Sequence, residues 1–218
     1  MPFSLSDYAL LRPYLYHLTA RDNLASIRKD LKLKSADTLL RAANLKAKVR
    51  VRRKVAETIT VDGRQIMLRD QRPLSENSIA FVGGFTFPEF VEFLNQRVFF
   101  WAGNDLGPAG GAKTYGLNHF KTYKDERPAI LRINFESLIQ ANPGHMPLFC
   151  QYNSGAPRCS SGHKATGCRV PRGPDTFLPA LQFGRGAAAV AEVTFAGHVN
   201  LPANVEVASQ FEGPWRRL

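Results

Sequence analysis

Ala187-Ala188-Ala189-Val190-Ala191-Glu192-Val193-Thr194-Phe195 places a single acid in a run of small, β-branched and aromatic residues. Gly184 and Gly186 precede it and Gly197 follows, so the run reads as a buried β-strand bounded by turns. An ionised carboxylate in such a strand loses its hydration at a cost of several kcal/mol unless a partner compensates. Two readings follow. Glu192 lies at a strand end facing a cleft, where it is a candidate catalytic group, or it is the buried partner of Arg97 or Arg132.

The same period-two and helical patterns extend outward from this strand. Residues 10–19 end in a short alternating stretch that reads as a strand, with Thr19 or Asp22 capping a helix over 23–30. A second helix is expected over 36–45. Asp62-Gly63 between two alternating stretches, 56–61 and 64–68, signals a hairpin. A short helix over 87–95 leads into Arg97-Val98-Phe99-Phe100-Trp101, a buried aromatic strand ending in a Gly-rich loop over 102–112. Residues 115–123 read as helical, 129–133 as a strand, and 135–141 as a helix capped by Asn134. Residues 144–186 are the least regular, and a loop of that length inside a domain is usually functional or disordered. Strands and helices mixed without βαβ alternation predict an α+β fold, and 218 residues predict one domain over 1–218.

The chain carries 29 Lys and Arg against 18 Asp and Glu, a formal net charge of +11, which favours a polyanionic partner, nucleic acid first. Seven of these cations (Arg41, Lys46, Lys48, Arg50, Arg52, Arg53 and Lys54) fall within residues 41–54 without one acid. No stretch approaches the ~18 apolar residues of a membrane span, and the N-terminus lacks a signal-peptide layout. No membrane association and a cytoplasmic location are therefore the expectation. Cys150, Cys159 and Cys168 form no even disulfide framework. With His163 they have enough soft ligands for zinc but no Cys-x2-Cys knuckle, so reduced loop thiols and no metal are expected.

Phosphate-loop, dinucleotide-fingerprint, zinc-protease and nucleophile-elbow motifs are all absent. What remains is an order: His17 in the first strand, Phe99 in the aromatic strand, Glu192 in the last apolar strand. That order resembles the His–aromatic–Glu branch of the ADP-ribosyltransferases, and most nearly the DarT-type toxins that modify nucleic acid. Tyr16-His17-Leu18-Thr19 followed by Asn23-Leu24-Ala25-Ser26-Ile27 is similar to the family's opening. Residues 97–101 are similar to its central strand. Ala191-Glu192-Val193-Thr194-Phe195 with Val199-Asn200-Leu201-Pro202 is similar to the stretch holding its catalytic Glu.

The resemblance implies two packed, mostly antiparallel sheets flanked by short helices around an NAD cleft. It implies transfer of ADP-ribose from NAD to a base of DNA or RNA by a bacterial toxin or phage-defence effector, with an antitoxin as partner. Glu192, His17 and Arg69 (or Arg72 in its place) would be catalytic. Glu192 would stabilise the positive charge that develops on the ribose and deprotonate the acceptor. His17, Thr19, Asn23, Arg69, Phe99 and Tyr115 would hold NAD, the aromatic rings stacking on nicotinamide and Arg69 meeting the pyrophosphate. Lys46, Lys48, Arg50, Arg52, Arg53, Lys54, Arg158, Arg169 and Arg172 would contact the nucleic acid. The sequence departs from the family in two places: the loop after the aromatic strand holds no Ser, and Val190 stands where arginine-modifying relatives carry a second acid. The second departure argues against an arginine acceptor. A non-catalytic nucleic-acid-binding module on the same fold, or a transferase with a protein acceptor, are the competing expectations.

Overall fold

The computed structural model describes residues 2–109, 127–157 and 168–218. The strands in chain order are β1 (Tyr14–Ala20), β2 (Lys32–Lys34), β3 (Glu57–Val61), β4 (Arg64–Leu68), β5 (Ile79–Phe81), β6 (Arg97–Asn104) and β7 (Gly107–Pro108). They continue as β8 (Pro128–Asn134), β9 (Leu148–Cys150), β10 (Val170–Arg172), β11 (Glu192–Ala196), β12 (His198–Asn200), β13 (Glu206–Ala208) and β14 (Arg216–Arg217). The α-helices are α1 (Leu5–Leu11), α2 (Leu24–Asp30), α3 (Ala36–Ala42), α4 (Phe87–Asn95) and α5 (Phe135–Gln140).

The architecture is α+β. Among the described residues, one antiparallel sheet runs in the order β14-β13-β8-β1-β6-β11-β9, with β7 added beside β6. Three two-stranded ladders, β3-β4, β2-β12 and β5-β10, stand apart from it, in place of a second large sheet. Side chains alternate across each strand, and the sheet has both faces covered. On one face Leu15, Val98, Phe100, Leu131, Val193 and Phe195 pack with α1 and α5. On the other, Phe99, Leu148 and Cys150 pack with Phe90, Val91 and Leu94 of α4 and with Phe177.

Local signals explain most of the elements. Asp62 and Gly63 both have positive φ, at 49° and 74°, as a two-residue hairpin turn requires. The β3-β4 hairpin buries Ile59, Val61, Ile66 and Leu68 against Leu39 and Leu40 of α3. Thr86 and Glu89 close a capping box on α4, with Pro88 in its first turn. Helix α1 is an addition to the sequence reading. Ser4 and Asp7 cap it reciprocally, and its Tyr8 is fully buried against Phe135 and Phe149.

The strand expected over 187–195 is shorter than the apolar pattern suggests. Ala187–Ala189 form a 3-10 turn closed by Ala189 N–H to the Gly186 carbonyl, and β11 begins at Glu192. Alanine loses little by turning, and burial of Ala187 beside α1 accounts for the apolar composition without a strand. Glu192 is therefore the first residue of its strand. The helix expected over 115–123 lies outside the described residues.

Candidate functional site

Two strands that separate create the cleft. β1 pairs with β8 along its whole length, but with β6 only at Tyr14, Leu15 and Tyr16. From His17 onward β1 and β6 diverge, which leaves the Phe99 carbonyl without a strand partner on that side. His17 Nδ1 supplies it at 2.8 Å. A carbonyl only accepts, so Nδ1 carries the proton and Nε2 is left as an acceptor. Burial, opposed by the Phe99 contact and aided by nearby Arg69, pulls the His17 pKa down to about 4. The ring is thus neutral at physiological pH.

The opening holds a cavity of about 330 Å³, within the range of small-molecule sites. His17, Thr19, Asn23, Arg69, Phe99 and Glu192 all line it, although the sequence separates the first from the last by most of the chain. Tyr115 and Arg158 lie outside the described residues.

Glu192 is 5% exposed. Its Oε2 accepts the Ser154 backbone N–H at 3.0 Å. Burial raises its pKa to about 7, against the lowering effects of Ser154 and of more distant Arg172. Neither cation proposed as its ion-pair partner plays that part. Arg132 is paired with Glu206 at 2.7 Å. Arg97 packs against the adjacent rings of Phe93 and Phe177, at 4.5 and 4.7 Å from their centroids. Glu192 stands opposite Trp101 in the β11-β6 ladder, and paired residues share a face. A carboxylate therefore sits beside a half-buried indole in the cleft wall.

The remaining candidates divide. Arg69 follows β4 and lines the cavity near His17. Thr19 is buried and its Oγ1 accepts from Asn23. The Asn23 amide is committed internally: Oδ1 accepts Met67 N–H at 2.8 Å, and Nδ2 lies 2.9 Å from the Met67 carbonyl. Asn23 thus fastens β4 beside β1, and this clamp holds the wall that carries Arg69.

The cationic stretch is less uniform than its sequence suggests. Arg53 is 8% exposed, and its guanidinium donates to the Arg69 carbonyl and to Asn95 Oδ1, so its expected role on nucleic acid is corrected to one inside the cleft wall. Arg172, at 5% exposed, is corrected likewise: it stacks 3.7 Å over Tyr152. Both are drawn inward because carbonyls and a ring replace the water their charge would lose. Lys48 pairs with Glu57 and Arg50 with Glu92, while Arg52 reaches the Gln71 and Arg72 carbonyls. Lys46, Lys54 and Arg169 are exposed.

The cysteines also differ from expectation. Cys168 is disulfide-bonded, and Cys150 is a buried free thiol whose pKa burial and Glu192 push up. Neither is a reduced loop thiol. Among the described residues no cluster fit to hold a metal is present, and no helix is long and apolar enough to cross a membrane.

Ser154 is a site residue that sequence reasoning did not single out, and Arg97, considered only as an ion-pair partner of Glu192, lines the cavity in its own right. Ser154 has no local signal, since a backbone N–H donates to Glu192. Arg97 had one: a cation at the head of a strand preceded by Phe90 and Phe93 at helical spacing.

No curated protein and no solved structure matches the chain. The chain belongs to DUF7002, a family of unknown function, whose model matches residues 13–205 and takes in His17, Arg69, Arg97 and Glu192 alike.

Proposed function

We propose that the protein is an NAD-dependent ADP-ribosyltransferase whose acceptor is a nucleic-acid base. The observation that supports this reading is convergence. Six residues chosen for one chemistry, from His17 to Glu192, line a single cavity around a buried carboxylate with no ion-pair partner among the described residues. NAD supplies an ADP-ribosyl group, whose bond to nicotinamide breaks as positive charge grows on the ribose. The Glu192 carboxylate faces that charge. Nicotinamide leaves with the bonding electron pair, the acceptor nitrogen attacks the anomeric carbon, and Glu192 takes the acceptor's proton. A pKa of about 7 suits that transfer near neutrality.

His17 Nε2, an acceptor because Nδ1–H is held by Phe99, accepts a hydrogen bond from a ribose hydroxyl. Phe99 and Trp101 provide aromatic surface for nicotinamide or the acceptor base. Arg69 meets the pyrophosphate. The net charge of +11, with Lys46, Lys54 and Arg169 exposed, favours nucleic acid over protein as the acceptor. The biological setting that goes with this chemistry is a bacterial toxin or phage-defence effector acting inside the cell, restrained by an antitoxin.

Incubation with NAD labelled in its adenylate half, together with separate pools of DNA, RNA and protein, tests the reading. Label is expected in a nucleic-acid pool and absent with Glu192→Gln at retained folding. Label in protein alone would reassign the acceptor. Intact NAD and no label in any pool would leave a binding module in place of an enzyme.

A further inference from the structure

We propose that Arg97 is an anion seat in the cleft, taking a phosphate group of the bound substrate. Arg97 opens β6, and side-chain alternation puts it on the same face as Phe99 and Trp101. Its guanidinium packs against the adjacent rings of Phe93 of α4 and Phe177, lines the cavity, and has no acid within ion-pair distance among the described residues. Its Nε is buried without a hydrogen-bond partner. Desolvation alone pulls its pKa down to about 10, where a paired arginine would be held up.

These features together describe a cation whose partner is a ligand. Arg132 finds a carboxylate, Arg53 the Arg69 carbonyl and the Asn95 amide oxygen, and Arg172 the Pro171 carbonyl, whereas Arg97 has no oxygen partner among the described residues. The two rings are neighbours, with centroids 5.5 Å apart, so they pack against one side of the guanidinium and leave its planar fork of N–H donors, which matches two oxygens of a phosphate, without a protein partner among the described residues. The position also fits a substrate with separated ends. Arg97 pairs with Ala196 and Trp101 with Glu192, so at ~3.3 Å per residue the seat and the carboxylate are roughly 13 Å apart along β6. Phe99 lies midway between them. One strand thus presents a cation, an aromatic ring, and an indole beside an acid in that order.

The phosphate has two possible sources, the pyrophosphate of the dinucleotide or the backbone of the nucleic acid. The inference rests on the cleft of the proposed function being the substrate site. Calorimetric titrations with adenosine diphosphate, with adenosine as the phosphate-free control, and with a short single-stranded DNA separate the two sources. Arg97→Met is expected to weaken one of the two phosphate probes by at least about tenfold while leaving adenosine unchanged. Arg97→Lys, which keeps the charge without the fork, should lose less, and it serves if the Met variant does not fold. A loss confined to adenosine diphosphate assigns the dinucleotide, and a loss confined to DNA assigns the acceptor. Native affinity for both probes in the folded variants, or no binding of either by the native protein, overturns the proposal. Because NAD turnover is not the readout, a protein that never cleaves NAD can still pass this test.

Discussion

Replacing Glu192 by Gln should change how stability responds to pH more than stability itself. In the folded protein the carboxyl titrates near 7 instead of its ordinary 4.5, because burial disfavours the ion. Its folded pKa is raised, so the folded state holds the proton more tightly than the unfolded chain does. That contribution to stability is complete below pH 4.5 and is lost as pH rises to 7. At about 1.4 kcal/mol per pKa unit the full loss is about 3 kcal/mol, most of which falls between about pH 5 and 8.5. The amide of the Glu192→Gln variant does not titrate, so the variant omits this loss.

The assay is urea or thermal unfolding of both proteins at several pH values. The stability gap should move in favour of the variant by about 2–3 kcal/mol between about pH 5 and 8.5, or roughly 5–10 °C in Tm for a chain of this size. Any fixed offset from the new amide beside Ser154 N–H drops out of that difference. Parallel stability curves for the two proteins would refute the reasoning, since they would mean that Glu192 ionises in the cleft as easily as in water.

If Glu192 must be ionised to act, NAD consumption by the folded protein should rise with pH through an apparent pKa near 7, and a flat profile between about pH 6 and 8 would contradict it. Asn95→Ala removes the acceptor of Arg53 and Gln71 and the donor to the Val49 carbonyl, so unfolding by urea should show a loss of about 3 kcal/mol, and a loss below about 1 kcal/mol would deny this network its role. Gly103→Ala should be poorly tolerated even though φ there is ordinary: the new Cβ would meet the Gly107 carbonyl oxygen and lie 2.7 Å from Tyr16 Cε2, so a native-like melting temperature would show that the β6-β7 turn can yield. His17→Ala leaves the Phe99 carbonyl unpaired at the strand split, which should cost about 1–3 kcal/mol in the same denaturation assay.

Much of the local architecture was legible because it is written in nearest neighbours. Asp62-Gly63 demanded a hairpin, and Asn134 capped α5 by accepting Ser137 N–H. The continuous apolar stretch at 98–101 read as a strand with both faces covered. Where composition served two purposes the pattern misled: the alanines before Glu192 are buried in a turn, not a strand. The large sheet's order and two of the three small ladders were not legible, since every pairing except the β3-β4 hairpin, the β6-β7 turn and the β13-β14 pair joins residues far apart in the chain.

The candidate site divides along the same line. A family resemblance carried by residue type and order, which needs no coordinates, selected His17, Arg69, Phe99 and Glu192. The sequence could not tell an exposed cation from a buried one, since both read as Arg; Arg53 and Arg172 turned inward once carbonyls and a ring were brought to them. Tertiary structure decided that β1 and β6 part after Tyr16, that His17 fills the gap at Phe99, and that Glu192 meets a backbone N–H instead of Arg97. The reason is physical. The alternation of a strand says which side chains share a face, whereas the environment that sets their charge and partners comes from elements packed against it from elsewhere in the chain.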